Sequence, residues 1–407
     1  MSIFDKESKY PSHSYKSINF VGKWQKKFID EYVDSIFKIG IDKTHGLFSE
    51  AKEEHFPQFL YKFYTPSIHN LISIQNNTVH LSLPMSFNDP FDSYICVDDQ
   101  LYIKHYILHA IEQRKMKSME CTPIHFSEDE YKILKYSPIN GRYREELGYS
   151  DGFQSRLYHV CQNKNEDLRS KINSIYVEAM KDRDIKVNHI RNIPFRITCF
   201  SNFVDDSELS QNTTMWSHYA ENHTGFCVKY LLDFDNIPNA DIIKCGLFPV
   251  LYSSRVPKLT LQDFKKIKRT EKEIQLPYSV LKKAYKALIT KSRFWSYEHE
   301  WRLIINEANE VQMSYNTIPF LNISAIYLGF RINPNIKKFF VKYAETNNIK
   351  IYISKQSEER FELDFFESST KKLKDDEYYS KLSKYHQIED ENLRKRNVRL
   401  LDEIFPI

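Results

Sequence analysis

Eight runs of six or seven residues, each rich in apolar and aromatic side chains, are scattered along the chain. They are Gln58–Tyr64, Thr78–Leu83, Phe195–Ser201, Gly225–Tyr230, Leu247–Ser253, Trp301–Asn306, Ile323–Gly329 and Ile349–Ser354. Runs of that length and composition read as β-strands. Helical periodicity fills much of the sequence between them. It predicts a short helix at Ile68–Gln75, another at Thr213–Glu221, and one at Ser279–Thr290 with apolar residues at 280, 281, 284, 287 and 288. A further helix opens at Asn333-Pro334, an N-cap followed by proline at the first helical position. Between the second and third strand runs, Leu101–Lys115 and Ser155–Asp184 carry helical spacing and much charge. The pattern predicts an α+β fold: one twisted, split mixed β-sheet with a helical insertion at about 101–190 and helical termini. On this division residues 1–57 are an accessory segment with a helix at Trp24–Ile39, 58–366 are the core, and 367–407 are a charged helical tail. The apolar positions of that tail suit docking in a homo-oligomer.

Composition removes several function classes. Aromatic residues make up 14%, with 27 Tyr and 28 Phe, which is ample for a core and excludes wholesale disorder. The 9 glycines never form GxGxxG or GxxxxGK[ST], so Rossmann dehydrogenases and Walker ATPases are excluded. A net charge of +4 permits nucleic acid without selecting it. The apolar runs are too short to span a bilayer, and the N-terminus lacks a basic-then-apolar leader pattern. The 6 cysteines contain no CxxC, so a reducing, cytoplasmic setting without membrane contact is expected.

Five clusters carry the residues suited to chemistry, all outside the helical insertion. They are Tyr61–Leu83 with the loop NDPFD (Asn88–Asp92) behind it, Thr198–Ser201 (TCFS), Met215–Cys227 (MWSHYAENHTGFC), Lys291–Arg302 (KSRFWSYEHEWR) and Ala325–Phe330 (AIYLGF). Together NDPFD, CFS, MWSHYA with the following GFC, and YExEWR resemble a bacterial family of unknown function, domain-of-unknown-function family 2971. The resemblance covers roughly residues 58–365, and it implies no established activity.

If Tyr297–Asn306 is extended, Glu298, Glu300 and Arg302 share one face, while Tyr297, His299, Trp301 and Leu303 share the other. Such a row is either a solvated strand face or a carboxylate pair set in a cleft, where burial and like charge tune one member. Trp216, His218 and Tyr219 belong either to a packing helix or to the wall of a cleft that stacks on a base or nicotinamide. Lys291, Arg293 and Arg302 flank the carboxylates and suit phosphate or RNA. Asn88 and Asp89 fit plain turn chemistry. With Asp92, Glu298 and Glu300, Asp89 also fits a metal-dependent nuclease, although no metal is predicted from the spacing of His218, His223 and Cys227. Cys199 and Cys227 have no placed base and read as core cysteines.

The order of motifs also resembles the layout of ADP-ribosyltransferases. Leu60–Thr65 with Asn70–Ile74, then Thr198–Ser201, then Glu298–Glu300 follow that family's strand order. The resemblance implies NAD as a substrate, with Glu300 on the nicotinamide ribose and Glu298 activating an acceptor. Substrate-binding roles would fall to Tyr61, Lys62, Tyr64, Thr65, Asn88, Asp89, Ser201, Trp216, His218, Tyr219, Lys291 and Arg302. The sequence departs from that family in two places: Tyr61, Lys62 and Tyr64 stand where an Arg or His is usual, and Thr-Cys-Phe-Ser replaces Ser-Thr-Ser. The acceptor would be nucleic acid or protein, in a toxin or phage-defence setting that the resemblance suggests. A metal-dependent nuclease and a non-catalytic nucleotide- or nucleic-acid-binding module are the alternatives.

Overall fold

The strand runs pair far from their neighbours in sequence. The computed structural model of the chain describes residues 31, 55–97, 102, 105–107, 109–110, 115–116, 124–130, 166–235, 237–269, 274–306 and 316–369. Most of the accessory segment, much of the helical insertion, including most of Leu101–Lys115, and nearly all of the charged tail lie outside these residues. The chain divides into two compact units.

The first unit comprises the described residues of 1–92, 194–254 and 289–407. Its elements in chain order begin with β1 (Phe59–Tyr64), α1 (Ile68–Gln75), β2 (Thr78–His80) and β3 (Phe195–Ser201). Then come α2 (Asp206–Gln211), α3 (Thr213–Tyr219), β4 (Phe226–Leu231), α4 (Ala240–Gly246), β5 (Leu247–Pro249) and β6 (Leu251–Ser253). The series ends with β7 (Thr290–Ser292), β8 (Glu300–Asn306), β9 (Thr317–Pro319), β10 (Ile323–Leu328), α5 (Pro334–Thr346), β11 (Lys350–Gln356) and β12 (Leu363–Glu367). Eight of these strands form one mixed sheet in the order β12-β11-β10-β4-β1-β3-β8-β5. Only β10 and β11 run parallel, and α5 makes the crossover between them.

Pairing is uneven across this sheet. β1 meets β4 over six register pairs, and β3 meets β8 over seven. β1 and β3 meet at one, Tyr61 opposite Ser201. The sheet therefore parts between these two strands, and the Lys62 ammonium reaches across to donate to the Cys199 carbonyl at 3.0 Å.

The two faces differ in character. One face is apolar along its length: Leu60, Phe200, Val228, Leu303 and Ile326 pack against Leu71 and Ile74 of α1, Ile243 of α4, and Phe340 and Val341 of α5. α1 forms where the periodicity predicts it, capped by the Ser67 side chain, and α5 starts at the Asn333 cap with Pro334. On the other face, Tyr61, Phe63, Cys227 and Tyr327 pack against Leu209 of α2 and Met215 and Trp216 of α3. Further across that face, on β3 and β8, the register brings up Cys199, Ser201, Glu300 and Arg302. The core stops there and charge begins.

Several predicted elements are redrawn. Thr78–Leu83 is not a strand of the main sheet: β2 pairs with β9, and Ser82 makes an isolated bridge to Ile197. Leu247–Ser253 breaks at Val250 into β5, which joins β8, and β6, which pairs in parallel with β7. The helix predicted at Ser279–Thr290 is Tyr278–Leu288, and Thr290 already belongs to a strand. The helix predicted to end at Glu221 ends at Tyr219, after which Glu221, Asn222 and His223 all have positive φ. β12 had no expectation from the sequence.

The second unit comprises the described residues of 93–193 together with 255–288. Of the helix predicted at Ser155–Asp184, residues 155–165 lie outside the described residues; the described helix is Glu166–Arg191, which runs on past Asp184. Its core joins Ile95, Tyr102, Val187 and Ile190 to Leu259, Phe264, Ile267, Val280 and Ala284. Residues 255–288, assigned above to the core domain, thus supply six of the ten buried residues of this cluster. Among the described residues, no helix is long and apolar enough to cross a membrane.

Candidate active site

The charged end of the sheet face opens onto a cavity of about 130 Å³. β1 contributes Tyr61, Lys62 and Phe63, β3 contributes Cys199, Phe200 and Ser201, and the NDPFD region contributes Phe87, Asn88 and Asp92. Met215 and Tyr219 of α3, Lys291 of β7, Glu298 and Glu300 complete it. The cavity lies where the sheet parts.

Glu298 and Glu300 do not lie on one continuous strand, contrary to the sequence reading. Arg293–Glu298 is a 3-10 turn, His299 is left-handed at φ 46°, and β8 begins only at Glu300. Both carboxylates nevertheless converge, because Lys291 holds them. Its ammonium lies 2.5 Å from Glu298 Oε2 and 2.9 Å from Glu300 Oε2. The parallel β6–β7 pairing sets Lys291 opposite Tyr252, whose hydroxyl accepts the Glu300 backbone N–H at 2.8 Å. Arg302, fully buried, donates through Nε to Glu300 Oε1 at 2.6 Å and through both Nη groups to the Asp92 carboxylate at 2.7 Å each. Such bidentate, charge-assisted bonds are the strong kind.

Asp92 reaches Arg302 because Asp89 makes a turn. Its carboxylate accepts the Phe91 N–H at 2.9 Å, and its carbonyl accepts the Asp92 N–H at 2.9 Å. Asp89 is thus a turn residue and does not line the cavity, whereas Asn88 and Asp92 do. Three carboxylates and two cations share a space with almost no solvent: Glu298, Glu300, Lys291 and Arg302 are each 6% exposed or less.

Electrostatics separate the two glutamates. Burial and the charge of Glu300 push the Glu298 carboxyl up to about 7, even with Lys291 in contact. Burial acts on Glu300 in the same direction, but Arg302 and Lys291 outweigh it and hold that carboxyl well below the usual range. Glu298 also accepts a 2.6 Å hydrogen bond from the Tyr219 hydroxyl. One carboxylate is fixed in the charged form, and its neighbour is poised to gain or lose a proton near neutrality. Burial pushes the Cys199 thiol up, which argues against a thiolate nucleophile there.

The other predicted residues divide. Tyr61 lines the cavity and donates to Asp206 at 3.0 Å; Ser201, Lys62 and Tyr219 line it too. Tyr64 instead lies on the opposite face, its hydroxyl 2.8 Å from that of Tyr230. Thr65 is exposed and bonded to Asn70. Trp216 is a core residue at 0% exposure; its indole N–H donates to the Leu209 carbonyl, and its ring stands edge-on to Phe63. His218 is exposed, with its ring 6.1 Å from that of Trp295, so it is neither a core histidine nor a cavity residue. The sequence reading missed Tyr252, Phe63 and Phe87. Only Phe87 had a signal, its position one residue before NDPFD.

Among the described residues, no group of three or more His, Cys, Asp or Glu could hold a metal ion. Of the four carboxylates named for a nuclease, Asp92, Glu298 and Glu300 bond to Lys291 or Arg302, and Asp89 caps its turn. No curated protein and no solved structure matches the chain. Residues 215–303, from α3 into the first half of β8, match the family described as Protein of unknown function (DUF2971), the family that the motifs resemble.

Proposed function

We propose that this site cleaves the bond between nicotinamide and ribose in NAD and passes ADP-ribose to a macromolecular acceptor. The observation that carries the reading is the placement of two carboxylates with separated protonation in one cavity, at the parting of the sheet and opposite Tyr61 and Ser201. ADP-ribosyltransferases likewise combine a first strand, a strand ending in Ser or Thr and a late glutamate pair, and Lys62 stands near where they carry an Arg or His. At about 130 Å³ the cavity is on the scale of one ring, close to the roughly 150 Å³ of a dry cavity that takes benzene. Tyr61, Phe63, Phe200 and Tyr219 give it aromatic walls suited to nicotinamide.

In this reading nicotinamide leaves with the electron pair of its bond to the ribose carbon, and that carbon becomes cationic. Glu300, ionised at any physiological pH, faces the developing charge. An acceptor hydroxyl or amine then bonds to the same carbon, and Glu298 takes its proton; a group titrating near 7 suits that step at neutral pH. Arg302, Asp92 and Lys291 keep the carboxylates in place. Exposed Phe294 and the Arg293 guanidinium stacked on it sit on the turn that carries Glu298, a platform for an acceptor surface.

The test is incubation of purified protein with adenylate-labelled NAD, mixed RNA, DNA and lysate protein, following nicotinamide release and the label. Nicotinamide release with label on a macromolecule is the expected result. Absence of nicotinamide release under every acceptor condition would overturn the reading.

A further inference from the structure

His299 separates the two glutamates in sequence and makes the left-handed turn between them. We infer that Glu208 and His299 form a positioning pair that fixes the turn bringing Glu298 beside Glu300; this deepens the function proposed above and rests on it for its kinetic test. Neither residue lines the cavity.

The geometry is specific. A 3-10 turn ending at Glu298 has to redirect the chain before β8 can begin. His299 does this in the left-handed region, φ 46° and ψ 48°, with its N–H donating to the Ser296 carbonyl at 3.2 Å. Residues other than glycine enter that region at a cost, and they persist there when surrounding contacts over-determine the conformation. Residues 202–212 supply four of those contacts. The Asn202 N–H donates to the His299 carbonyl at 2.8 Å, and the Asn212 side-chain amide donates to the Tyr297 carbonyl at 2.7 Å. The His299 imidazole Nδ1 lies 2.7 Å from Glu208 Oε1, while the other Glu208 oxygen accepts the Val204 N–H at 2.8 Å. The Phe203 ring closes on His299, edge-on at 6.2 Å.

Glu208 is thus tied at one oxygen to the backbone after β3 and at the other to the turn that delivers Glu298. The titratable groups around Glu298 are Lys291, Glu300 and Tyr219, from β7, β8 and α3, with Tyr252 of β6 and Tyr297 of its own turn. If the turn slackens, Glu298 moves away from Glu300 and toward water. Its carboxyl then returns from near 7 toward the ordinary carboxylate range, because both causes of its elevation weaken.

The experiment compares wild type with Glu208→Gln, His299→Gly and His299→Asn. Glycine keeps the left-handed backbone but loses the contact with Glu208. Asparagine tolerates the conformation and retains a donor. For transfer of ADP-ribose from NAD to an acceptor, the step in which Glu298 takes a proton, His299→Gly and Glu208→Gln should lower kcat about tenfold or more with KM for NAD within twofold, a misplacement effect. The limb of the pH–rate profile near 7 should move to lower pH, and His299→Asn should recover much of the loss. In parallel, NMR titration of carboxyl-labelled glutamates follows Glu298 directly, assigned with Glu298→Gln. Unchanged kcat together with an unmoved Glu298 midpoint in both variants overturns the positioning role. Wild type that cleaves no NAD overturns the catalytic reading alone, and the NMR midpoint still decides the pair. If His299→Gly fails to fold, Glu208→Gln and His299→Asn carry the comparison.

Discussion

Glu298→Gln should make the protein more stable at neutral pH, and the gain should depend on pH in a defined way. The Glu298 carboxyl titrates near 7 in the folded chain, against about 4.3 in an unfolded one. Between those values the folded state keeps a proton that the unfolded state has released. Stability therefore falls as pH rises through the window, by about 1.4 kcal/mol per pH unit, and the loss totals roughly 4 kcal/mol above pH 7. Glutamine has no proton to lose and escapes the fall. Glu300 adds nothing to this difference, because it is ionised in both states through most of the window and its own contribution is lost only toward acid pH. Urea melts of wild type and variant at closely spaced pH values from 4.5 to 8.5 test the reasoning. The stability gap should widen in favour of glutamine up to about pH 7 and then stay constant. A gap that is flat across the whole range would refute the buried, charge-crowded picture of Glu298. A destabilising side chain retained at a cavity is what a stability–activity trade-off looks like.

The opposite is expected of Glu300. Glu300→Gln leaves Lys291 and Arg302 buried with less negative charge, so it should cost about 3–5 kcal/mol in denaturant melts and also reduce NAD cleavage by about two to three orders of magnitude. A variant with unchanged stability would show that the ion network is not what the distances imply. Trp216→Ala removes a fully buried indole and should cost roughly 3–5 kcal/mol, with no separate loss of ligand affinity in the folded fraction, measured by melts beside a binding titration. Removing residues 101–190 alone should yield aggregating protein, because Leu259, Phe264, Val280 and Ala284 lose their packing partners. Removing residues 255–288 as well, with a short linker at each gap, should restore solubility on size-exclusion chromatography.

What was legible in the sequence follows from the range over which each signal acts. Strand runs such as Phe195–Ser201 and helices such as Ile68–Gln75 were read nearly to the residue, since alternation, periodicity and caps are local. The convergence of Glu298, Glu300 and Arg302 was also anticipated, but by a wrong route. Alternation assumed an extended Tyr297–Asn306, and nothing in YEHE announces a left-handed histidine. Three features were out of reach because they depend on partners distant in sequence: Asp92 on Arg302, Tyr252 beneath the Glu300 amide, and the packing of 255–288 with the second unit. Trp216 and Tyr64 show the converse. Aromatic residues inside a motif invite a binding role, and here they fill the core.

The single pairing between β1 and β3 sets how costly it is for the cavity to grow. In most sheets, enlarging a space between adjacent strands means unzipping a ladder. Here the seam is closed by one register pair and one lysine-to-carbonyl bond. At about 1 kcal/mol for each ordinary bond, and somewhat more for one from an ammonium, the hydrogen-bond part of opening it costs on the order of a few kcal/mol. The hydrophobic layers cross the seam, with Phe200 against Tyr230 on one face and Phe203 against Tyr61 and Phe63 on the other. The backbone ladder therefore offers little resistance to a ligand larger than one ring, and the side-chain packing across the seam sets how far the cavity can grow. Amide exchange should register this as faster exchange at the facing edges of β1 and β3 than in the paired flanks of β4 and β8.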